Sequence, residues 1–281
     1  METIKEMEDA KIDITELKDT ARRIRINLLK MLTNAGSGHT GGSLSAADIV
    51  TALYFAKMKH DPKNPKWIER DRFILSKGHA APLLYTVLAE CGYFDKSELM
   101  TLRRLSSRLQ GHPDCKALPC VEISTGSLGQ GLSIANGVAL SGKIDNASFR
   151  VYALLGDGET QEGQVWEAAM TAAHYKLDNL CAIIDRNMLQ IDGAVEEIMS
   201  IEPVVDKWEA FGWNVIETDG HDIAKILSAL NEAEKVKGKP TMIIAHTIKG
   251  KGVSIFEGKV EYHGIAPTKE ELEIALKELE A

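Results

Sequence analysis

Few features of specialised proteins are present in this 281-residue chain. No apolar run approaches the ~18–20 residues that cross a bilayer, which excludes a membrane-spanning helix and predicts no membrane partner. Basic residues are in the minority. The 33 Lys and Arg stand against 41 Asp and Glu, a net charge of −8. The basic footprint of a nucleic-acid binder is therefore missing, although a local anion site is not excluded. The four cysteines, Cys91, Cys115, Cys120 and Cys181, form no Cys-x-x-Cys pair. That predicts free thiols in a reducing cytoplasm. His112-x-x-Cys115 has zinc-like spacing, but no second ligand pair follows it. The opening METIKEMEDAKID is charged and lacks the apolar core of a secretory signal. No internal repeat or low-complexity linker is found. The remaining composition, 44% hydrophobic and 26% charged, is that of an ordinary globular protein with a sizeable core.

Residues 1–12 are expected to be a frayed extension. Asp13-Ile14-Thr15-Glu16 has the form of a capping box, and apolar residues from Leu17 to Ala35 recur at helical spacing. A loop is expected over SGHTGGS (37–43) and a helix from about Ser45 to Met58. RFILS (72–76) predicts a short strand, followed by a helix opened by KGHA and ending near Gly92. FRVYALL (149–155), NLCAIID (179–185), WNVIET (213–218) and PTMIIAHT (240–247) predict strands. Helices are expected at 163–175, 222–236 and 269–279. Such alternation predicts an α/β fold over residues 1–281, a doubly wound, mostly parallel sheet with helices on both faces.

Two turns after strands carry short oxygen-bearing side chains. Gly156-Asp157-Gly158 follows the 149–155 strand, and Asn187 follows the 179–185 strand. Ligands of open α/β sheets bind outside the carboxyl ends of the strands. If the two strands are neighbours, Asp157 and Asn187 face one crevice. A carboxylate and an amide oxygen suit a hard cation such as Mg²⁺, with coordination sites left for phosphate oxygens. Gly158 would let its N–H approach a phosphate, and the helix near Gly163 would point its positive end at the same anion. A dinucleotide fold is the rival, because Asp185 ends the second strand. However, Gly156, Gly158 and Gly163 do not fit G-x-G-x-x-G.

Six histidines lie in or near glycine-rich or helix-starting loops: His39, His79, His112, His221, His246 and His263. Neutral imidazoles hydrogen-bond sugar hydroxyls and move protons near neutral pH. His60 and His174 read as ordinary positions. TGSLGQG (125–131) precedes a small-residue helix that must pack closely on something. IKGKG (248–252) places Lys249 and Lys251 after the last strand, where an anion could meet them.

SGHTGGSLS, DRFILSKGHA, QGHPD, TGSLGQGLSIANGVAL, GDGETQEG, DRNMLQIDG and YHGIAP, in that order over residues ~12–267, resemble the N-terminal, diphosphate-binding part of transketolases. The resemblance implies the diphosphate-binding (PP-type) domain of the thiamin-diphosphate fold. It implies a thiamin diphosphate cofactor held through Mg²⁺, or Ca²⁺ or Mn²⁺ in its place. Asp157 and Asn187 would bind the metal through side chains and Leu189 through its carbonyl. His79, Gly158 and His263 would contact the diphosphate. Gly126 and Leu128 would line the cofactor rings, and Ile191 would pack on the thiazolium. His39 and His263 would sit near the reacting hydroxyls as proton carriers, with His112 on the donor's terminal hydroxyl. One departure is Thr40, where the family commonly has proline; it leaves the geometry of the His39 loop open.

The implied reaction is transfer of a two-carbon ketol unit from a ketose or ketose phosphate to an aldose, as in pentose phosphate metabolism. In transketolases the glutamate that activates the cofactor lies on a pyrimidine-binding domain beyond this part. The expected partner is thus a separate C-terminal subunit carrying the pyrimidine-binding and C-terminal domains, in an α2β2 heterotetramer. The chain alone is expected to be inactive. Alternatives are the α-type subunit of another thiamin enzyme, such as a 2-oxo-acid dehydrogenase, a non-catalytic scaffold, and a dinucleotide oxidoreductase.

Overall fold

The computed structural model describes residues 13–281; the extension expected over residues 1–12 lies outside them. Helix α1 (Ile14–Ala35) starts where the Asp13 carboxylate accepts hydrogen bonds from the Thr15 and Glu16 amides, at 2.8 and 3.4 Å. Only that half of the expected box is recorded there. It ends at Gly36, whose left-handed φ of 65° lets its N–H reach the Leu32 and Thr33 carbonyls.

The loop expected over 37–43 is helical from residue 40. Helix α2 (Thr40–Ser45) is followed by α3 (Ala47–Ala52), and a π-helical turn covers Leu53–Lys57. Glycines disguised α2. A Cβ on Gly41 would come 2.9 Å from Lys249 Cγ and 3.1 Å from the Tyr262 carbonyl oxygen. These glycines allow close packing of a helix; they do not mark a turn.

Strand β1 (Arg72–Leu75) leads to α4 (Ala81–Glu90), then α5 (Gln130–Ile144), β2 (Val151–Gly156) and α6 (Gly163–His174). Strand β3 (Leu180–Arg186) is followed by two short helices that the sequence periodicity does not announce, α7 (Val195–Met199) and α8 (Val204–Ala210). The chain continues with β4 (Asn214–Asp219), α9 (Ile223–Lys235), β5 (Thr241–His246) and α10 (Lys269–Glu280). The strands among the described residues pair in parallel, in the order β1-β2-β3-β5-β4.

Strand side chains alternate between two cores. Phe73, Leu75, Tyr152, Leu154, Cys181, Ile183, Ile243 and Ala245 pack with residues of α1, α3, α4, α9 and α10. Ile74, Ala153, Leu155, Ala182, Ile184, Met242 and Ile244 pack with α5, α6 and α8. The expected doubly wound architecture is therefore present. Burial on both faces is why the strands read as near-continuous apolar runs. Each fully buried leucine or isoleucine contributes about 1.5–3 kcal/mol.

Helix α5 is the small-residue helix anticipated after TGSLGQG. At Gly131 an added Cβ would lie 2.4 Å from Ser76 Oγ and 2.7 Å from Ser76 Cα. The helix is thus seated on the end of β1, and the 125–129 loop is carried to the carboxyl edge of the sheet.

Candidate active site

In the β2–β3 register Gly156 is opposite Asp185, so the turns that follow are neighbours. The Met188 amide donates to Asp157 Oδ2 at 2.6 Å, and the Gly158 amide donates to Asp157 Oδ1 at 2.8 Å. Asp157 is 2% exposed. Burial, with the Asp185 charge behind it, raises its pKa above the ordinary aspartate value; the Gly158 and Met188 amides and Arg186 act in the other direction. A buried carboxylate of this kind favours a cation beside it.

The Asn187 side chain is buried. Its Oδ1 accepts from the Leu189 amide at 3.2 Å, and its Nδ2 donates to Asp185 Oδ2 at 3.2 Å. The Leu189 carbonyl accepts from Lys249 Nζ at 3.3 Å. One expectation changes in detail: the Gly158 N–H is engaged by its own neighbour, Asp157. The residues after Asp157 form a 3₁₀ turn (Gly158–Gln161), and α6 starts at Gly163, where the sequence places it.

His39, His79 and His263 form one cluster, with ring centroids 5.1, 5.3 and 5.6 Å apart. Burial, aided by the Arg103, His112 and Lys249 charges, lowers His39 to about 4. Burial and Lys249 lower His263 to about 3. Burial, then Lys77, pushes His79 well below its ordinary value. All three are neutral near pH 7, as hydroxyl-binding imidazoles require. His39 Nδ1 is buried without a hydrogen-bond partner among the described residues.

The Thr40 departure has a structural consequence. Thr40 Oγ1 donates to the Ile265 carbonyl at 2.6 Å, tying the His39 loop to the segment that carries His263. A threonine at the first position of α2 supplies this bond, which proline could not. An open cavity of ≈ 550 Å³ is lined by His39, Ile191, Val260, Glu261, His263 and Gly264. Ile191 is 65% exposed there. His112 lies against Gly126, where an added Cβ would meet its ring at 3.1 Å, and its charge is among those acting on His39. Leu128 lies in the same 125–129 loop, partly buried.

The remaining histidines stay outside. His221 bridges Asp48 and the Ile248 amide, His246 pairs with Glu217, and His60 lies between Tyr93 Oη and the Tyr54 carbonyl.

Several site residues carry little signal in the sequence. Lys249 reads there only as a residue that could meet an anion. Its side chain is 2% exposed, with Nζ 2.8 Å from His263 Nδ1, and no ion pair is recorded for it among the described residues. Burial and the Lys77 charge lower its pKa to about 8. Glu159, also buried, accepts from Ser76 Oγ at 2.5 Å and from the Gly129 and Gly156 amides at 2.9 Å each. It locks three loops of the site together. Asp185 is claimed internally by Lys77 at 2.5 Å, Ser45 at 2.5 Å, Asn187 and Thr247. Both its oxygens are taken, so it does not offer the ribose contact that a dinucleotide site needs.

The histidines set a pH dependence. In the unfolded chain they titrate near 6.5. Between that value and the folded values of about 4 and about 3, the unfolded state binds more protons. Stability thus rises with pH across this window; the contribution is complete above ~6.5 and lost as pH falls toward the folded values. The urea midpoint is expected to drop between pH 7 and pH 5, and less steeply in His263→Asn. An identical slope in that variant would contradict the assignment.

A parallel sheet with such an edge places the chain among cofactor-binding α/β domains, and known proteins narrow the class. The family model described as the transketolase thiamine diphosphate binding domain matches residues 17–279. The chain is 48% identical over 265 residues to a subunit of the 6-deoxy-6-sulfo-D-fructose transketolase of Clostridium sp. (strain MSTE9), covering 94% of this chain and 96% of that one. It is 44% identical to a subunit of the apulose-4-phosphate transketolase of Phocaeicola vulgatus, covering 95% and 94%. Transketolase of Campylobacter jejuni superposes with a TM-score of 0.90 at 38% identity; the match covers 96% of this chain and 43% of that one. The domain is of the thiamin-diphosphate-binding class. The chain belongs to the transketolase family.

Proposed function

We propose that the chain is the diphosphate-binding subunit of a two-chain cytoplasmic transketolase. It serves transfer of a two-carbon ketol unit from a ketose or ketose phosphate to an aldose acceptor. The observation that carries this reading is the buried Lys249 ammonium. Its hydrogen-bond neighbours are a carbonyl and a neutral imidazole, and burial together with the Lys77 charge lowers its pKa. A buried ammonium in this position calls for an anion. The buried Asp157 carboxylate adds an oxygen ligand that suits a hard divalent cation.

Thiamin diphosphate, when bound, supplies the electron sink for carbon–carbon bond cleavage. Asp157, Asn187 and the Leu189 carbonyl would hold its Mg²⁺. Lys249, His79, Gly158 and His263 would hold the diphosphate. Gly126, Leu128 and Ile191 would wall the rings. The neutral His39 and His263 imidazoles would hold and relay protons of substrate hydroxyls, and His112 would bind the terminal hydroxyl of the donor.

The cofactor-activating glutamate would come from a second chain, in an α2β2 assembly. Support comes from the two relatives of similar length whose names call them subunits. Their names carry a sulfo-sugar and a sugar phosphate, which favours sugars with an anionic group as substrates.

The test is ketol transfer with thiamin diphosphate and Mg²⁺, by the chain alone and after mixing with its pyrimidine-domain partner. No turnover alone and turnover on mixing are expected. Robust activity of the chain alone would overturn the two-chain reading. Consumption of a 2-oxo acid in place of a ketose would favour a dehydrogenase-type subunit.

A further inference from the structure

The last residue of β3 is Arg186, whose side chain is 1% exposed. Its guanidinium meets three carboxylates. Nη1 lies 3.4 Å from Asp157 Oδ2, and Nη2 donates to Glu196 Oε1 and Glu202 Oε1 at 2.8 Å each. Asp157 belongs to the turn after β2, whereas Glu196 and Glu202 belong to the segment 194–203. That segment has little apolar anchorage. Val195 and Ile201 are buried, but Ile198 and Met199 face solvent. Its other side-chain bond to the site runs from Gln161 Nε2 to the Met199 carbonyl at 2.7 Å; the same amide donates to Gln190 Oε1, ahead of the segment, at 2.7 Å. The chain between Arg186 and this segment carries Asn187, Leu189 and Ile191.

We infer that Arg186 is a positioning residue for the divalent cation. Its buried fork ties the Asp157 carboxylate to the 194–203 segment, so that the metal turn and the Ile191 wall move as one body. The inference rests on the metal assignment proposed above. A planar guanidinium with donors on separate edges can face a turn on one side and a segment on the other, which an ammonium cannot do with the same geometry. Outer partners of this kind fix the ligand oxygen before the ion arrives. A bare charge beside the site would act in the opposite sense, by repelling the cation. The two roles therefore predict opposite changes in affinity.

The experiment is a calorimetric titration of Mg²⁺ into the full chain, assembled with its partner and saturated with thiamin diphosphate. Amide exchange over 194–203 is measured alongside. Arg186→Gln is expected to weaken Mg²⁺ binding roughly 10–100-fold and to speed exchange across the segment, with Arg186→Lys intermediate. Unchanged or tighter Mg²⁺ binding in Arg186→Gln would overturn the inference, as would unaltered exchange. Should Arg186→Gln not fold, Glu196→Gln combined with Glu202→Gln cuts only the far side of the network. Several-fold weaker Mg²⁺ and faster exchange would support the inference, and wild-type values would overturn it. Wild-type protein that binds no Mg²⁺ would instead fail the metal assignment itself, and this inference with it.

Discussion

Asp157→Ala should abolish metal-dependent retention of thiamin diphosphate in the assembled enzyme, and ketol transfer with it. Asp157 is the one carboxylate among the three proposed ligands, Asp157, Asn187 and the Leu189 carbonyl. A site with a single charged ligand depends on it for most of its attraction to a hard dication. The same carboxylate accepts from the Gly158 and Met188 amides, so it also holds the two turns together. The loss should lie at or beyond the roughly 100-fold upper end of the cost of outer-partner substitutions. Asp157→Asn separates charge from shape: it retains one oxygen of the side chain and should still lose the metal. Calorimetry with Mg²⁺ and thiamin diphosphate gives the answer. Wild-type affinity in either variant would refute the metal assignment.

The largest effect on stability should come from Asp185→Ala. Asp185 is 0% exposed, and the Lys77 ammonium that faces it is almost as deeply buried. Burial alone would raise the pKa of Asp185; the Lys77 charge and the bonds from Lys77, Ser45 and Thr247 overcome that and hold it below the ordinary range. Removing the carboxylate leaves a buried ammonium whose remaining recorded bond is to the Gly42 carbonyl. Breaking one side of a buried pair costs about 3–5 kcal/mol. Urea denaturation should show a loss of that size. Lys77→Met combined with Asp185→Leu should recover much of it, since an apolar pair leaves no uncompensated charge. A single-variant loss under about 1 kcal/mol would contradict the central role of the pair.

Much of the fold was legible because strand and helix periods differ and glycine and small residues punctuate them. All five strands and the long helices follow that pattern. Helix α2 was not legible, since Gly41 and Gly42 read as a turn until Lys249 and Tyr262 are seen pressing on Gly41. The glycine-flanked histidines were visible individually. Which of them converge was not: His221, also beside a glycine, bridges Asp48 and the Ile248 amide instead.

Residue types and spacing by themselves determined the doubly wound parallel sheet and the turns bearing Asp157 and Asn187. Local periodicity and turn chemistry are encoded over a few residues, so they can be read without the fold. The tertiary structure alone decided which charges are buried and what faces them. It made Asp185 and Glu159 struts, Lys249 an ammonium without a recorded counter-charge among the described residues, and Arg186 a clamp. Those roles depend on desolvation and on partners up to 140 residues away, as Ser45 is from Asp185. No local pattern in the chain records such distances.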